Sequence, residues 1–414
     1  MKKNIIVLFI NQVVNVGIPF LLIPYLVRTL GLSQYGVLAF TQVIGQYFVT
    51  IIDYGHSLSA PRDVSLLRNE KEHLNNHFLE VFWSRIFLLV LCMPVFILFV
   101  FVLPTFRGVE LTASVFVLTL VAQALFPYWF LQGMENMVPL TQANLISKLF
   151  YVAGVFVFVR NSKDLLGVLL LQGVSACMVN IILVIYIRRY YSLKISKVSF
   201  QVILYALKKD WTIFIAQFSS VLFGGSNIFI LGLFSPLVIV GQYAVAERIV
   251  RIAAQITSVV SVALYPRVTA LFSSNRVKEV FDLLRKTIVL WGIVIFLGCL
   301  LLFVFAPFIV HIVQNTADLT TIAIIRILSI TPLLIFVENI FAVQILLALR
   351  QDRTFLQNLL YVVLFSLIFG FLLVSKYQGL AMAYVSLCSQ MLIMVLMISS
   401  AMKHVREKFK WEYQ

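Results

Sequence analysis

The 414 residues are 61% hydrophobic and only 12% charged, whereas soluble domains run roughly 45–50% apolar and about 25% charged. A soluble core cannot hide that much apolar surface, so an ordinary cytosolic domain is excluded. The formal charge of +15 and pI near 9.7 would suggest nucleic acid in a soluble protein. In a membrane protein they need only reflect Lys and Arg retained in cytoplasmic loops, and no nucleic-acid partner is expected.

Apolar runs of 18 or more residues recur along the chain, each long enough to cross a hydrocarbon layer of about 30 Å as a helix. Lipid offers no partner to backbone N–H and C=O groups, so these runs must be helices. They lack the period-two alternation of a transmembrane barrel. The first run begins after Lys2 and Lys3 and superficially resembles a secretory signal, but it continues past Pro24 with no small-residue cleavage site and reads as a retained first helix. In chain order the expected spans are 4–28, 36–57, 78–103, 111–133, 138–159, 165–188, 211–233, 237–264, 285–313, 320–349, 354–374 and 378–401. The longest linkers, 58–77, 189–210 and 265–284, are too short for a folded catalytic domain. Cys92, Cys177, Cys299 and Cys388 each fall inside an apolar run, as small hydrophobes and not as a disulfide framework.

An even number of spans puts both termini on one side. Placing them in the cytoplasm leaves 22 Lys and Arg inside and five outside, namely Arg28, Arg107, Arg160, Lys163 and Lys376, so the positive-inside rule selects that orientation. The basic linker 191–210 divides the chain into a six-helix bundle, 1–190, and a second, 211–414, that ends in a short basic cytoplasmic tail. Six is even, so both halves enter the membrane in the same sense, as in transporters built from parallel repeats. A weak internal echo, Gly36 to Ile44 against Gly241 to Ile249, opens the second helix of each half.

An ionised side chain at mid-bilayer costs about 2.5–3.5 kcal/mol on insertion scales. Asp53, Arg85, Lys148, Glu247, Arg248, Arg251, Arg326 and Glu338 all lie within spans, and Arg28 lies near the outer end of the first. Asp53 and Arg85 could instead snorkel at the cytoplasmic interface, and Glu247 could simply pair with Arg251. Polar residues also fall on shared helix faces: Gln42, Gln46 and Asp53; Thr141, Asn144 and Lys148; Glu247, Arg251 and Ser258; Asn11 and Asn15. Such stripes suit a water-filled path or a structural helix–helix contact. Gly17, Pro19 and Pro24 in the first helix, with Pro127 and Pro332 further on, mark places where a helix can bend.

No glycine-rich phosphate loop of the P-loop type is present. The histidines His56, His73, His77, His311 and His404 are scattered, and His73 with His77 lacks a third ligand, so neither a metal nor a cofactor is expected. The outer loops are too short for a periplasmic transferase, and no catalytic residue is expected.

Several stretches resemble the Wzx-type O-antigen flippases, in the polysaccharide transporter branch of the superfamily that includes the multidrug MATE exporters. They are Pro24 to Gly31 followed by Tyr35-Gly36; Asp53-Tyr54-Gly55 with Ser59 to Arg62; Pro127 to Gly133; Val240 to Tyr243 with Ala246-Glu247; and Leu264 to Arg267. They follow the family's order and extend over both halves. The usual Asn or similar residue after Asp53-Tyr54-Gly55 is replaced here by His56 and Ser57, which leaves any role for that position open. The resemblance implies an all-α integral membrane protein of about twelve helices in two six-helix bundles, MATE-like, around a V-shaped central cavity with alternating access. It further implies an undecaprenyl-pyrophosphate-linked oligosaccharide as substrate, moved from the cytoplasmic to the periplasmic leaflet of the bacterial inner membrane. A polymerase and a chain-length regulator of the same pathway are possible partners.

A pyrophosphate diester carries about two negative charges and cannot cross hydrocarbon unpaired. Cations should meet it: Arg28, Lys148, Arg248 and Arg251, with Arg85 and Arg326 behind them, since guanidinium groups grip phosphate oxygens in a fork. Sugar hydroxyls would suit Gln42, Gln46, Asn11, Asn15 and Asn144. Glu247 and Asp53 are the expected coupling carboxylates. The inside-negative potential helps an anion outward by about 2.3 kcal/mol per charge per 100 mV. Two other readings stand beside this one. A cation-coupled multidrug exporter of the same fold would favour acidic residues inside, and a membrane polysaccharide polymerase would need a larger outer loop.

Overall fold

The structure is a computed structural model that describes residues 2–194 and 196–409, with side chains throughout except at 2–16, 18–20, 256–259, 262 and 263. Asn11, Asn15 and Ser258 therefore lie outside the described side chains. Every long element is a helix, the only regular structure that satisfies its own backbone in lipid. The elements are α1 (Lys2–Asp53), α2 (His56–Leu67), α3 (Lys71–Val102), α4 (Glu110–Ser114), α5 (Val117–Leu125), α6 (Tyr128–Gly133), α7 (Met137–Phe158) and α8 (Leu165–Tyr190). They continue with α9 (Phe200–Phe234), α10 (Leu237–Ser273), α11 (Val277–Gln314), α12 (Leu319–Leu328), α13 (Thr331–Phe341) and α14 (Asp352–Phe409).

Among the described residues nine helical segments are long and apolar enough to cross a membrane. Two of them each join two of the expected spans across a break. α1 is two helices joined at Gly31, with φ 78° and ψ 162°, and α14 is two joined at Gln378, with φ 46° and ψ −124°. With these breaks, and with the 37-residue α10, which is not among the nine, each of the twelve expected spans has its helix.

Three expectations about connections are corrected. The linker 58–77 is helical nearly throughout, as α2 and the first turns of α3; 265–284 is the end of α10 and the start of α11; and α9 begins ten residues inside 189–210. Charged residues such as Arg62, Asp63 and Lys71 lower hydropathy without breaking helix geometry, so a drop in hydropathy marks the edge of the lipid and not the end of the helix. Conversely, the fourth span is divided into α4, α5 and α6, and the tenth into α12, α13 and a π-helical turn over Ala342–Leu347. Pro127 separates α5 from α6, because a prolyl nitrogen cannot donate to the preceding turn. Pro332 sits in the first turn of α13, where that donor is not needed. α1, in contrast, runs through Pro24 with Gly31 as its one non-helical residue.

The chain divides into two compact units, Met1–Leu222 and Phe223–Gln414. In the first, α5 and α7 pack on α8, α1 on α3 and α7, and α2 on α6. Its centre holds Phe40, Ile44, Phe96, Phe106 and Leu120, all fully buried. Gly45 lets the Phe116 ring approach so closely that a Cβ would overlap it at 2.0 Å. In the second unit α10 packs on α12 and α13, and α13 on α14, around Tyr243, Phe336, Ile345 and Met382. The outer faces are apolar as well: α11 exposes Leu290, Phe296, Leu301 and Phe308, the inverse of a soluble helix and the face expected of one surrounded by lipid.

Candidate functional site

At the end of α1 the chain turns through two residues with positive φ, Tyr54 at 50° and Gly55 at 83°. Gly55 is required twice over. Its backbone is left-handed, and a Cβ there would lie 2.8 Å from Ile213 Cγ2 and 3.2 Å from the Phe214 nitrogen of α9. The turn brings the start of α2 back over the end of α1, so Asp53 Oδ2 accepts hydrogen bonds from Ser57 Oγ at 2.7 Å and Ser57 N at 3.3 Å. The Tyr54 ring stacks on Phe214 at 4.4 Å.

Asp53 Oδ1 accepts from Arg85 Nη2 of α3 at 3.2 Å, and both side chains are almost wholly buried, 5% and 2% exposed. The Nη groups of Arg85 are further held at the break at Pro127. Nη2 donates to the Gln123 carbonyl at 2.7 Å and Nη1 to the Phe126 carbonyl at 2.5 Å. These are carbonyls at the C-terminal end of α5, where the helix dipole favours a cation; the Gln123 carbonyl also accepts from the Phe126 N–H at 3.1 Å. A buried guanidinium thus joins a carboxylate on one helix to the broken end of another.

Gln217 of α9 completes the cluster, donating from Nε2 to Asp53 Oδ2 at 3.5 Å and to Ser57 Oγ at 3.4 Å. Beside it is a cavity of about 120 Å³ lined by these groups together with Gln46, Gln123, Phe126, Tyr128 and Trp129. One turn away along α2, His56 Nδ1 meets Asp210 Oδ2 of α9 at 2.9 Å, and Ser59 Oγ donates to the same oxygen at 2.7 Å. Further on, Lys209 Nζ reaches Asp63 at 2.6 Å. Polar bonds along 53–63 therefore hold α9 between Lys209 and Gln217.

The other expected residues are placed as follows. Gln42 donates from Nε2 to Gln172 Oε1 of α8 at 3.3 Å, and Gln46 is exposed at the cavity's edge. On α7 Asn144 and Lys148 are half-buried, and on α1 Arg28 is exposed. In the second unit Arg251 Nη2 donates to Glu247 Oε1, one turn back on α10, and to the Gly224 carbonyl at 2.9 Å. Arg248 is exposed beside them. Arg326 lies over the Phe303 ring at 5.4 Å from its centroid, with Nε 3.4 Å from the Phe303 carbonyl. Glu338 accepts from Gln390 Nε2 at 2.6 Å. Among the described residues no group of three His, Cys, Asp or Glu could hold a metal ion, and all four cysteines are free thiols.

Sequence reasoning missed Asp210, Gln217 and Gln123. They lie 154, 164 and 38 residues from their partners His56, Asp53 and Arg85, beyond any helical spacing. The one available signal was the His56-Ser57 departure from the family pattern, since both residues bond directly to carboxylates.

Long apolar helices with charged and amide side chains gathered inside them define a multi-pass α-helical membrane protein of the transporter type. The chain belongs to the family described as "Polysaccharide biosynthesis protein", which it matches over residues 1–272. It is 26% identical over 399 residues, 96% of each chain, to a protein of Escherichia coli (strain K12) named "Putative O-antigen transporter". Its fold is that of the MOP superfamily. It superposes on the inward-facing conformation of a multidrug resistance MATE family transporter with a TM-score of 0.81, at 12% identity and covering 99% and 100% of the two chains. It superposes on the lipid II flippase MurJ with a TM-score of 0.71, at 12% identity and covering 97% and 87%.

Proposed function

We propose that this protein is a flippase that moves an undecaprenyl-pyrophosphate-linked oligosaccharide, an O-antigen repeat unit, from the cytoplasmic to the periplasmic leaflet of the bacterial inner membrane by alternating access. The observation that carries this reading is the similarity over 96% of both chains to a relative named as an O-antigen transporter. The family's description and a fold in common with a lipid II flippase point the same way. In this reading residues 1–190 and 211–414 are the two six-helix bundles, and both termini are cytoplasmic.

The charge inventory supports an anionic substrate. Each carboxylate expected in a span has a partner: Asp53 meets Arg85, Glu247 meets Arg251, and Glu338 meets an amide. Arg28, Lys148 and Arg248 add cations to this set, which suits a pyrophosphate and not a cationic drug. Arg28, Lys148, Arg248 and Arg251 are the pyrophosphate contacts. Arg85, with its Nη donors committed to Asp53 and two carbonyls, frames the site and does not grip phosphate, and Arg326 packs over the Phe303 ring. Gln42, Gln46 and Asn144 meet sugar hydroxyls.

Glu247 is the coupling carboxylate best suited to exchange. Arg251 cannot serve the pyrophosphate and Glu247 with the same donor, so arrival of substrate frees the carboxylate to take a proton. Asp53, the second coupling candidate, exchanges only if the joint it forms with Arg85 opens during transport. Transport by Glu247→Gln and Asp53→Asn should lose the wild-type dependence on a proton gradient; retention of that dependence in both removes the coupling assignment.

The test of the main reading is deletion of the gene in its native host, with complementation by wild type, Arg28→Ala or Arg251→Ala. Loss of surface polysaccharide, with single repeat units held on their lipid carrier at the inner leaflet, is the expected outcome. A second reading, a multidrug exporter, draws on the fold likeness to a MATE transporter. Normal surface polysaccharide with altered sensitivity to cationic drugs would select it.

A further inference from the structure

The cavity beside Asp53 carries a chemistry that pyrophosphate recognition does not use. Its only cation among the described residues, Arg85, is already matched by a carboxylate 3.2 Å away, so the site is close to neutral, and Asp53 would repel a phosphate. Two of its polar groups still meet no protein partner among the described residues. Arg85 Nε is a donor and Gln217 Oε1 an acceptor, both buried. Neither atom has surface for a ligand to touch, but Gln217 Nε2 is held only at 3.5 Å by Asp53 and 3.4 Å by Ser57, so a ligand group that is an acceptor for it and a donor to the neighbouring amide oxygens is favoured over an apolar one. A hydroxyl is both.

The remaining walls fit the same ligand. Gln46 and Gln123 add amides that can donate and accept. Phe126 and Tyr128, stacked on each other with centroids 5.9 Å apart, and Trp129 add aromatic rings to the lining. A sugar ring has this divided character, with hydroxyls around its edge and an apolar C–H face. The cavity, about 120 Å³, is roughly ten times the ~10–15 Å³ that admits one water. That is room for a single ring and not for an oligosaccharide, and exposed Gln46 stands at its edge.

We infer that this cavity is a saccharide subsite that receives one neutral sugar ring of the substrate, with the amides of Gln217, Gln46 and Gln123 meeting its hydroxyls and Tyr128 its apolar face. The inference rests on the flippase reading and adds where a sugar is recognised, separately from the pyrophosphate.

The test uses full-length protein in lipid nanodiscs and two probes: undecaprenyl pyrophosphate alone, and the same carrier bearing the host's repeat unit, extracted from the deletion strain. Wild type should bind the sugar-bearing lipid more tightly. Gln217→Ala should weaken the sugar-bearing lipid roughly 3–10-fold, the loss of one or two neutral hydrogen bonds, and leave the bare carrier unchanged. Tyr128→Leu, which removes a half-buried ring and leaves the Asp53–Arg85 pair intact, should do the same, and it decides alone if Gln217→Ala is not monodisperse. The subsite is overturned if wild type binds the two lipids equally, or if well-folded variants keep the full preference or weaken both lipids alike. Failure of wild type to bind either lipid overturns the flippase reading itself.

Discussion

Among the described residues each unit has one arginine–carboxylate pair within its expected spans, Asp53–Arg85 and Glu247–Arg251, and the two are built differently. Asp53 and Arg85 come from different helices, are 5% and 2% exposed, and are fixed by Ser57, Gln217 and two carbonyls at a helix break. Glu247 and Arg251 sit one turn apart on α10, 17% and 52% exposed, with a single further bond to the Gly224 carbonyl. A buried pair costs more to break than to keep, because the surviving charge is left without water or partner. An exposed pair on one helix contributes little and can be exchanged. The same two residue types therefore serve as a fixed joint in the first unit and as an exchangeable contact in the second.

The comparison breaks if the two arginines behave alike when removed. Arg85→Met should destabilise the protein by about 3–5 kcal/mol, read as a large fall in the thermal transition in detergent, while Arg251→Met should change stability by no more than about 1 kcal/mol and affect transport instead. Equal losses of stability would mean that Glu247 and Arg251 are also structural. The turn that delivers Asp53 supplies the next effect. Gly55→Ala meets a left-handed backbone costing roughly 1–2 kcal/mol and, in addition, the contacts with Ile213 and Phe214. Gly31→Ala has open space around its Cβ and only the strained backbone, about 1–3 kcal/mol, so it should be tolerated in packing and should act through the α1 break alone. Gln378 at the matching break of α14 has a positive φ without being glycine; Gln378→Gly relieves a left-handed backbone worth roughly 1–2 kcal/mol against a glycine entropy cost of about 0.5–1 kcal/mol, so it should raise the transition slightly.

How much of this was legible follows from the range of each signal. Hydropathy located all twelve spans because lipid acts on every residue of a span at once. The Glu247–Arg251 pair was legible because helical spacing alone decides it. Asp53 was flagged as a charge in an apolar run, and Pro127 as a place to bend, but that Arg85 would join the two depends on how α1, α3 and α5 pack, which no local pattern contains. Asp210 and Gln217 were invisible for the same reason: in the sequence they are ordinary polar residues near the start of a span, and only the close approach at Gly55 gives them partners. The helix α2 was missed for a different reason, since its buried stripe His56, Ala60 and Val64 is amphipathic while its hydropathy is that of a linker.

A third pair extends the series outside the membrane and tests its logic most finely. Arg68 Nη2 donates to Glu135 Oε1 at 2.8 Å, with side chains 30% and 71% exposed, while Arg68 Nε holds the Gly133 carbonyl at 2.7 Å. The hydrogen bond from Arg68, and then its charge, hold the Glu135 carboxyl below the usual carboxylate range. A carboxyl whose folded value is depressed contributes stability that is fully present above its unfolded value, near about 4.3, and that is lost as the pH falls through the lower folded value. The thermal transition of wild type should therefore fall slightly more than that of Glu135→Gln as the pH is taken from above to below that window, and the two should run parallel at neutral pH. Because Arg68 keeps its bond to Gly133 when Glu135 is neutral, this should be the smallest effect of the three pairs, and it should vanish in high salt, which screens exposed charges. A difference between the two proteins that survives high salt would mean that exposure does not rank these pairs, and the contrast between Arg85 and Arg251 would then need a cause other than burial.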